Sequence, residues 1–285
     1  MTVDIDYLRT WVGKSEIATD ILHGGQLASL AATLDRDELS PQPGDLVPPA
    51  GHWVYFTPRP KASEIGPDGH AKRGGFLPPV DLPRRMWAGG RMRWPGALRV
   101  GDSITRTSTI AGVNHKSGKS GDLVFVLVKH AIAGPDGVCV EEEHDIVYRG
   151  ASDPDMLPPP AKAAPTDADW SRTIEPNPVL LFRYSALTFN GHRIHYDLAY
   201  VTEEEGYPGL IVHGPLIATL LMDLCTRERP ERQLVRFDYR ATSPLFHIAP
   251  FTVNGRLADD GNTAQLWAAD ANGGLAMQAE AEFAD

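Results

Sequence analysis

The sequence predicts an α+β fold of two similar units, in each of which an antiparallel sheet wraps around a long helix. The first observation is the order of patterns, because in both halves a helix-like segment precedes several strand-like runs that turn residues separate. The second is a short internal match: residues 23–30 read HGGQLASL and residues 213–220 read HGPLIATL. The shared order and the match together predict a duplicated domain.

A change in composition divides the chain into two halves. Residues 151–168 read ASDPDMLPPPAKAAPTDA, which has no hydrophobic period, and its run of prolines favours extended, semi-rigid backbone. We therefore predict a first domain at 1–150, a linker at 151–170 and a second domain at 171–285. Both predicted domains have an ordinary length for a folded unit.

The first unit is predicted to begin with a helix over residues 15–34. Strand-like runs follow at 53–57, 91–94, 103–114, 123–133 and 138–148, with turn residues at 118–121 and 134–137. Between the first two runs lies a segment rich in Pro and Gly, residues 58–83. Loops of that length in compact domains are usually functional or mobile.

The second unit begins with an apolar run at 179–185, a short strand or the start of a helix. A polar loop follows at 189–197, and then a short helix at 198–205. Residues 214–226 predict a strong helix, with Pro215 in the first turn, where a missing N–H costs nothing. This helix is apolar nearly all round, which predicts burial. The strand-like runs 233–242, 251–258, 263–270 and 275–283 follow, and the last three predict a meander.

Composition excludes several classes of function. The 285 residues are 42% hydrophobic, which is enough for a sizeable core. The net charge of −10, without a long Lys/Arg run, argues against nucleic acid or a membrane as the main partner. Two distant cysteines form no disulfide framework, which fits a reduced cytoplasm. We find neither a signal peptide nor an apolar run that spans a bilayer, so we predict a cytoplasmic protein.

The polar loop at 189–197 reads FNGHRIHYD and carries the candidate chemistry. His195 is a candidate proton shuttle, because histidine titrates near neutral pH. Asn190 can orient water or a substrate carbonyl, but an amide cannot act as a base. The alternative is that His195 only bonds the loop backbone. The crowding of polar side chains in one short segment favours the catalytic interpretation.

Gly214 begins the apolar helix directly after this region. Free N–H groups at a helix start, aided by the dipole, can stabilise developing negative charge. The alternative is that Gly214 only permits tight packing against the sheet. His213 is a candidate for the site, a cap or a core residue. Thr219 either contacts the site or bonds back to the helix backbone.

A metal site is a further alternative, with ligands from His192, His195, Asp197 and His213. However, a His-x-x-His spacing in a loop is common by chance, and no Cys pair supports it. We therefore predict neither a metal nor another cofactor.

Residues 186–220 resemble the MaoC-like, or R-specific enoyl-CoA hydratase, family of hotdog folds. The family pattern is an Asp, four residues and a His, followed by an Ile-Val-His-Gly helix start. His195 matches the catalytic His, Asn190 stands where the family has Asp, and Thr219 stands where relatives carry Ser. TFNGHRIHYD at 188–197 and EGYPGL at 205–210 are similar to a subgroup that acts on mesaconyl-, itaconyl- and 3-hydroxyacyl thioesters.

The resemblance implies a double hotdog with a degenerate first unit. It also implies reversible addition of water across an α,β-unsaturated acyl-CoA, most specifically mesaconyl-C4-CoA or itaconyl-CoA. His195 would be the general acid or base, Asn190 would help hold the water, and the N–H of Gly214 would polarise the thioester carbonyl. Two alternatives stay open: dehydration of longer 3-hydroxyacyl thioesters, and thioester binding without catalysis. Since hotdog sheets often extend across subunits, a homodimer is also expected.

A dicarboxylic acyl group needs a cation, and arginine suits bidentate carboxylate binding. We predict substrate contacts from Arg193 in the polar loop and from Arg91 and Arg93 in the first unit. Arg183, Arg84 and Arg85 are further candidates. Lys116, Lys119 and Lys129 are candidates for the CoA phosphates. The alternative for each of these cations is a solvated surface charge or, for Arg193, a bond that holds the loop.

Overall fold

One antiparallel sheet runs through both halves of the protein. The computed structural model describes residues 3–37, 41–118, 121–150 and 160–284. The strands of the first half are β1 (Ser15–Ile21), β2 (Arg84–Arg93), β3 (Ser103–Gly118), β4 (Gly121–Gly134) and β5 (Gly137–Arg149). Those of the second half are β6 (Trp170–Ile174), β7 (Leu234–Ala241), β8 (Phe251–Leu257), β9 (Thr263–Ala269) and β10 (Leu275–Phe283).

The two halves repeat the same strand order around a central pair. The sheet runs β1-β3-β4-β5-β2-β7-β10-β9-β8-β6, so each half has the same order when it is followed inward from its outer edge. β2 and β7 pair antiparallel in the middle, from Gly89 opposite Arg240 to Arg93 opposite Arg236. Hydrogen bonding is therefore continuous across the join. This is the duplicated, helix-wrapping sheet that the sequence predicts.

The helices are α1 (Ile5–Arg9), α2 (Gly24–Thr33), α3 (Pro178–Thr188) and α4 (Gly214–Glu228). The two that share the sequence match, α2 and α4, both begin directly after an N-cap histidine, His23 or His213. In α4, every residue from 216 to 225 is buried, because the helix packs against strands of the second half and against β2. The burial predicted from its apolar surface is confirmed.

Local patterns misled the prediction at two places in the first half. Residues 15–34 are not one helix: residues 15–21 form β1, which pairs with β3, and the helix begins only at Gly24. Residues 53–57 are not a strand, because Gly51–Val54 is a 3-10 turn flanked by the left-handed residues Ala50 and Phe56. In both cases contacts distant in sequence override a local pattern.

The second half follows its prediction more closely. Strands β7 to β10 lie within a residue or two of the predicted runs, while β6 was not predicted. The ambiguous run at 179–185 is helical, since α3 begins at Pro178 and the Asn177 side chain caps it by accepting from the N–H of Leu180. The predicted short helix at 198–205 contains a π-helical turn, Tyr200–Glu204.

The predicted domain boundaries stay a prediction. Residues 151–159 of the predicted linker lie outside the described residues. The described part of the linker lies against the β9–β10 turn, where the N–H of Leu275 donates to the carbonyl oxygen of Lys162 at 2.7 Å. The last predicted linker residue, Trp170, is the first residue of β6. Among the described residues, no helix is long and apolar enough to cross a membrane.

Candidate active site

His195 ends a short 3-10 turn, Arg193–His195, and only 7% of the residue is exposed. Its Nδ1 lies 2.7 Å from the carbonyl oxygen of Ile211. Because a carbonyl oxygen only accepts hydrogen bonds, Nδ1 carries the ring proton and Nε2 keeps its lone pair. Burial lowers the pKa of His195 to about 4, despite the opposing bond to Ile211, so the ring is neutral at neutral pH. His195 therefore offers a ring nitrogen that can accept a proton.

His213 packs directly on this ring. The two imidazoles are stacked, with centroids 3.6 Å apart and planes 19° apart. His213 is fully buried, and its Nε2 lies 2.8 Å from Oγ of Ser185. Burial, followed by the neighbouring His195 and His192, lowers the pKa of His213 well below its ordinary value. A neutral His213 thus fixes the His195 ring at the start of α4.

Gly214 starts α4, and its surroundings differ from those of Gly24 at the start of α2. A Cβ built on Gly24 would lie 2.5 Å from the carbonyl oxygen of Pro41, so packing requires glycine there. A Cβ built on Gly214 would meet, among the described residues, only the carbonyl oxygen of Trp87, at an ordinary 3.7 Å. Tight packing does not explain Gly214. The first N–H groups of α4 have no partner within the helix and are available to a substrate oxygen.

Asn190 lies where α3 turns into the polar loop. Phe189 ends α3 in the left-handed conformation, and the N–H of Asn190 donates to Ser185 O at 2.8 Å. The Asn190 Oδ1 accepts from the N–H of His192 at 3.0 Å, a turn that fixes the loop. The side-chain NH2 remains as a donor for water, but the amide cannot accept a proton.

Thr219 lies one turn into α4 and combines the two roles that the sequence left open. Its hydroxyl donates to the carbonyl oxygen of Pro215 at 2.8 Å and lies 3.2 Å from the hydroxyl of Tyr184. The Tyr184 ring in turn lies edge-on to His213, at 5.2 Å between centroids. Thr219 therefore supports the wall on which His213 rests.

Arg193 holds the polar loop. Its guanidinium donates to Asp197 at 2.8–2.9 Å and to the carbonyl oxygen of Pro67 at 3.0 Å. It also lies 4.1 Å from the ring centroid of Tyr200. The ion pair with Asp197 favours the loop-holding alternative, and the substrate contact of Arg193 stays a prediction. The loop-holding alternative describes the geometry.

Arg91 and Arg93 are not brought to this cluster. Arg91 is bonded to Glu143 and bidentately to Asp145, at 2.7 and 2.9 Å. Its neighbour Met92 is fully buried on the helix-facing side of β2, and successive side chains alternate between faces. Arg91 and Arg93 therefore lie on the outer face, away from His195, and their predicted contact with a substrate carboxylate is corrected.

The lysines predicted to meet CoA phosphates are spread along the β3–β4 hairpin. Lys129 forms an ion pair with Glu143 at 2.8 Å, and Lys116 lies over the ring of Phe125 at 5.2 Å. Lys119 lies outside the described residues. Nothing in these contacts favours a phosphate site over solvated charges.

The long loop of the first half reaches the polar loop of the second. The N–H of Arg193 donates to the carbonyl oxygen of Asp68 at 2.9 Å. Gly69 has a left-handed φ of +89°, and a Cβ there would lie 1.8 Å from the carbonyl oxygen of Gly191. Only glycine permits this approach. The contact brings Asp68 and His70 to the site, and sequence reasoning missed both.

Four imidazoles consequently lie in one row across the two halves. The ring centroids of His70 and His192 are 4.0 Å apart, and those of His192 and His195 are 5.5 Å apart. His213 completes the row beyond His195. At the other end, Nδ1 of His70 lies 3.0 Å from Oδ2 of Asp68. An Asp-Gly-His sequence inside a loop already expected to be functional was the signal that could have identified this end.

Two of the ligands predicted for a metal already have other partners. Asp197 is bound to Arg193, and Nδ1 of His195 faces the Ile211 carbonyl. Among the described residues, donor atoms of a three-residue set converge within 4.8 Å at Asp68, His70 and His192. Two of these three belong to the row of imidazoles, and one is its carboxylate.

Residues 50–247 match the family model described as hydroxyacyl-thioester dehydratase type 2. The chain belongs to this family. A relative described as mesaconyl-C(4)-CoA hydratase, from Chloroflexus aurantiacus, is 44% identical over 273 residues, which cover 96% of each chain. The resemblance to MaoC-like hydratases is confirmed.

Solved structures confirm the fold of this family member. A MaoC-like dehydratase from Phytophthora capsici superposes with a TM-score of 0.68 at 14% identity, covering 99% of each chain. A Mycobacterium tuberculosis protein described as a double hotdog gives a TM-score of 0.57 at 14% identity, covering 96% of each chain. The predicted double hotdog is therefore confirmed.

Proposed function

We propose that the protein adds water reversibly across the double bond of a short, branched, dicarboxylic enoyl-CoA, with mesaconyl-C4-CoA as the first candidate. The observation that carries the proposal is a neutral, buried His195, with Nδ1 committed to Ile211, beside the open start of α4 at Gly214. The 44% identity to a mesaconyl-C(4)-CoA hydratase supports the substrate.

The reaction follows from these groups. The first N–H groups of α4 bind the thioester carbonyl oxygen, and the NH2 of Asn190 donates to the attacking water. The proton that the water loses as its oxygen bonds to Cβ reaches Nε2 of His195, and the π electrons shift toward Cα and the carbonyl. The helix start stabilises the resulting enolate. The imidazolium then returns the proton to Cα, so the enzyme ends as it began.

A free carboxylate on the acyl group needs a different arginine from those predicted. Arg85 lies opposite the buried Tyr148 on β5. After burial, the charge of Arg85 is among the causes that lower the pKa of both His70 and His192, which supports a position near the row of imidazoles. Among the described residues Arg85 forms no ion pair, whereas the adjacent Arg84 pairs with Glu205 at 3.3 Å. We propose that Arg85 binds the acyl carboxylate.

The chemistry of the acyl group supports this position. Mesaconate is methylfumarate, so a thioester at C4 leaves the C1 carboxylate on the carbon β to the thioester. That carbon is the one that water attacks. A cation that binds the carboxylate must therefore lie beside the water, on the side of the row that His70 and His192 occupy.

Rates with three substrates test this proposal. We expect Arg85→Met to lose roughly 10- to 100-fold in kcat/KM with mesaconyl-C4-CoA, since a hydrogen bond to a charged group contributes about 1.5–3 kcal/mol. Crotonyl-CoA, which has no carboxylate, should change little. Arg93→Met, on the exposed outer face of the same strand, removes the same charge and serves as the matched control. Equal wild-type rates with mesaconyl-C4-, itaconyl- and crotonyl-CoA would reject the dicarboxylic substrate.

Dehydration of a longer 3-hydroxyacyl thioester is the second candidate, and one cavity favours it. A cavity of about 260 Å³ lies between α2 and α4 and is lined mainly by apolar side chains, with Thr219 at its edge. The volume is slightly below the roughly 300–1,000 Å³ of typical ligand pockets, which suits a modest chain. A rate that rises from four- to eight-carbon 3-hydroxyacyl-CoA, measured beside mesaconyl-C4-CoA, would favour this candidate.

We further propose a homodimer in the cytoplasm. Large apolar side chains are exposed on α3 and on the loop after it, namely Val179, Phe182, Phe189, Tyr196 and Leu198. Several large apolar side chains exposed in one segment are typical of an interface. Both cysteines are free and buried, which agrees with a reducing compartment. Light scattering after gel filtration would report 31.1 kDa for a monomer and twice that mass for the proposed dimer.

A further inference from the structure

We infer that His70 is a second catalytic residue of this site and that Asp68 positions it, so the first half supplies an Asp–His pair where Asn190 cannot take a proton. The inference rests on the proposed hydration and assigns a role to the long loop of the first half. Its basis is the row of imidazoles that runs from His70 through His192 to His195.

The pair has the geometry of an oriented base. Asp68 accepts from both the backbone N–H and Nδ1 of His70, each at 3.0 Å. Although burial opposes ionisation, these bonds hold the pKa of Asp68 below its ordinary value, so the carboxylate is charged. With Nδ1 donating to Asp68, Nε2 of His70 keeps its lone pair, the same tautomer that His195 adopts. A carboxylate so placed stabilises the imidazolium that forms when His70 accepts a proton.

Two constraints hold this pair at the site. The backbone carbonyl of Asp68 accepts from the N–H of Arg193, and Gly69 approaches the carbonyl of Gly191 more closely than any residue with a Cβ permits. The loop is thus docked on the polar loop through its backbone. The side chain of Asp68 contributes nothing to that docking and is free to serve His70.

The reaction requires a proton acceptor on the water side. Asn190 offers only its NH2, because its oxygen is bonded to the N–H of His192. In the step that we assign, Nε2 of His70 accepts one proton from water as oxygen bonds to Cβ. The π electrons form the enolate. His192 takes up the proton on one ring nitrogen and releases its own from the other to Nε2 of His195, which delivers it to Cα, and exchange with solvent restores the starting tautomer of His192. One O–H bond breaks, one C–O and one C–H bond form, and the enzyme gains no proton.

His192 is suited to the middle position. Its ring lies between those of His70 and His195, with centroids 4.0 and 5.5 Å away. Burial, followed by the charge of neighbouring His70, strongly lowers the pKa of His192, so it carries a proton only in passing.

The charges that face His70 make its titration predictable. Burial lowers the pKa of His70, Asp68 opposes this, and Arg85 and Arg73 lower it further. Without the Asp68 carboxylate, the cations and burial remain. Asp68→Asn should therefore shift the acidic limb of the kcat/KM profile to lower pH, because the base loses its proton more readily.

Variant kinetics test the inference. We expect His70→Gln to lower kcat roughly 100- to 1,000-fold with less than about a threefold change in KM, within the range of general-base catalysis. Asp68→Asn should lose roughly 10- to 100-fold and shift the pH profile as stated. A second Asp–His pair, His115 with Asp122 at 2.9 Å in the β3–β4 hairpin, provides matched controls. Asp122→Asn and His115→Gln should leave kcat and the profile unchanged.

Three other results would contradict the inference or the proposed function on which it rests. A His70→Gln variant with wild-type kcat and pH profile, or one that loses thermal stability alone, would overturn the catalytic role. Wild-type activity that EDTA abolishes and zinc restores would reassign Asp68, His70 and His192 to a metal. A wild type inactive on every enoyl-CoA would overturn the proposed hydration, and this inference with it. An NMR titration of the His70 ring, with a lower pKa in Asp68→Asn, reports on the pair independently of turnover.

Discussion

The two halves share a strand order but use their matched helices differently. In the second half, α4 is buried from residue 216 to 225, and its first residue, Gly214, has room for a Cβ, which would lie an ordinary 3.7 Å from the carbonyl oxygen of Trp87. In the first half, α2 is shorter, and its first residue, Gly24, is packed against the carbonyl of Pro41. One helix start is open for a ligand and the other is closed by packing. This difference between the helix starts supports the proposal of a site at α4.

The helix-facing side of the first half encloses a buried polar cluster. Glu142 on β5, with 4% of the residue exposed, is bonded to Nε2 of His52 at 3.1 Å, to Nε1 of Trp53 at 2.8 Å and to His144. Buried carboxylates are tolerated only with such partners. The first half thus encloses a polar cluster of its own, while its long loop contributes Asp68 and His70 to the site of the second half.

The largest expected effect is a loss of turnover when a histidine is replaced in the second half but not in the first. We expect His195→Gln to lower kcat roughly 1,000-fold, because the variant keeps an N–H donor for Ile211 but loses the basic nitrogen. Thermal stability should stay near the wild type. His23→Gln, at the exposed N-cap of α2, should leave turnover unchanged. Steady-state rates and melting temperatures of both variants measure this contrast, and near-normal turnover by His195→Gln would end the assignment.

The two helix starts should respond oppositely to a methyl group. Gly214→Ala has room for its Cβ, so the variant should fold normally yet bind the thioester poorly, with kcat/KM reduced roughly 10- to 100-fold. Gly24→Ala should instead lose stability, by about 1–3 kcal/mol, because its Cβ must displace the carbonyl of Pro41. Denaturant unfolding and kinetics of the two variants test this. The same loss of stability in both would remove the distinction.

A smaller effect is the loss of folding stability at acidic pH, to which buried histidines of both halves should contribute. Burial lowers the pKa of His130 in the first half to about 3 and that of His195 in the second to about 4. Unfolded histidine titrates near 6.5, so below that pH the unfolded chain binds more protons and stability falls, until the folded pKa is reached. Each such histidine costs about 1.4 kcal/mol per pH unit within that window.

Melting temperatures between pH 8 and pH 4.5 measure this dependence. They should fall below about pH 6.5, and His130→Gln and His195→Gln should each flatten the decline. A melting temperature that stays constant down to pH 5 would contradict the neutral, buried state of these rings.

Much of the second half follows from local sequence because its signals are local. The start of α4 combines a glycine, a first-turn proline and an apolar surface, and β7 to β10 are separated by turn residues. The first half was harder to predict, since β1 is a strand only through its pairing with β3, which begins more than 80 residues later. Edge strands of this kind depend on a distant partner rather than on their own pattern.

The sequence predicted the part of the candidate site that lies within one short segment, but not the part that comes from the first half. His195, Asn190 and Gly214 lie near one another in sequence, and their types indicate the chemistry. Asp68 and His70 reach the site across more than 120 residues, through a backbone contact that no local pattern encodes. The arginines were misassigned for a related reason: the carboxylates that bind Arg91 lie on another strand, β5, so its charge looked free in the sequence.

A crystal structure of His195→Gln with mesaconyl-C4-CoA tests the central claim most directly, because this variant should bind the substrate without consuming it. The account predicts the thioester carbonyl oxygen within about 3 Å of an N–H at the start of α4, as for an oxyanion donor. Cβ should face residue 195 and His70, and the free carboxylate should face Arg85. A thioester bound at the start of α2, or an acyl carboxylate on the outer face of β2 beside Arg91, would contradict it.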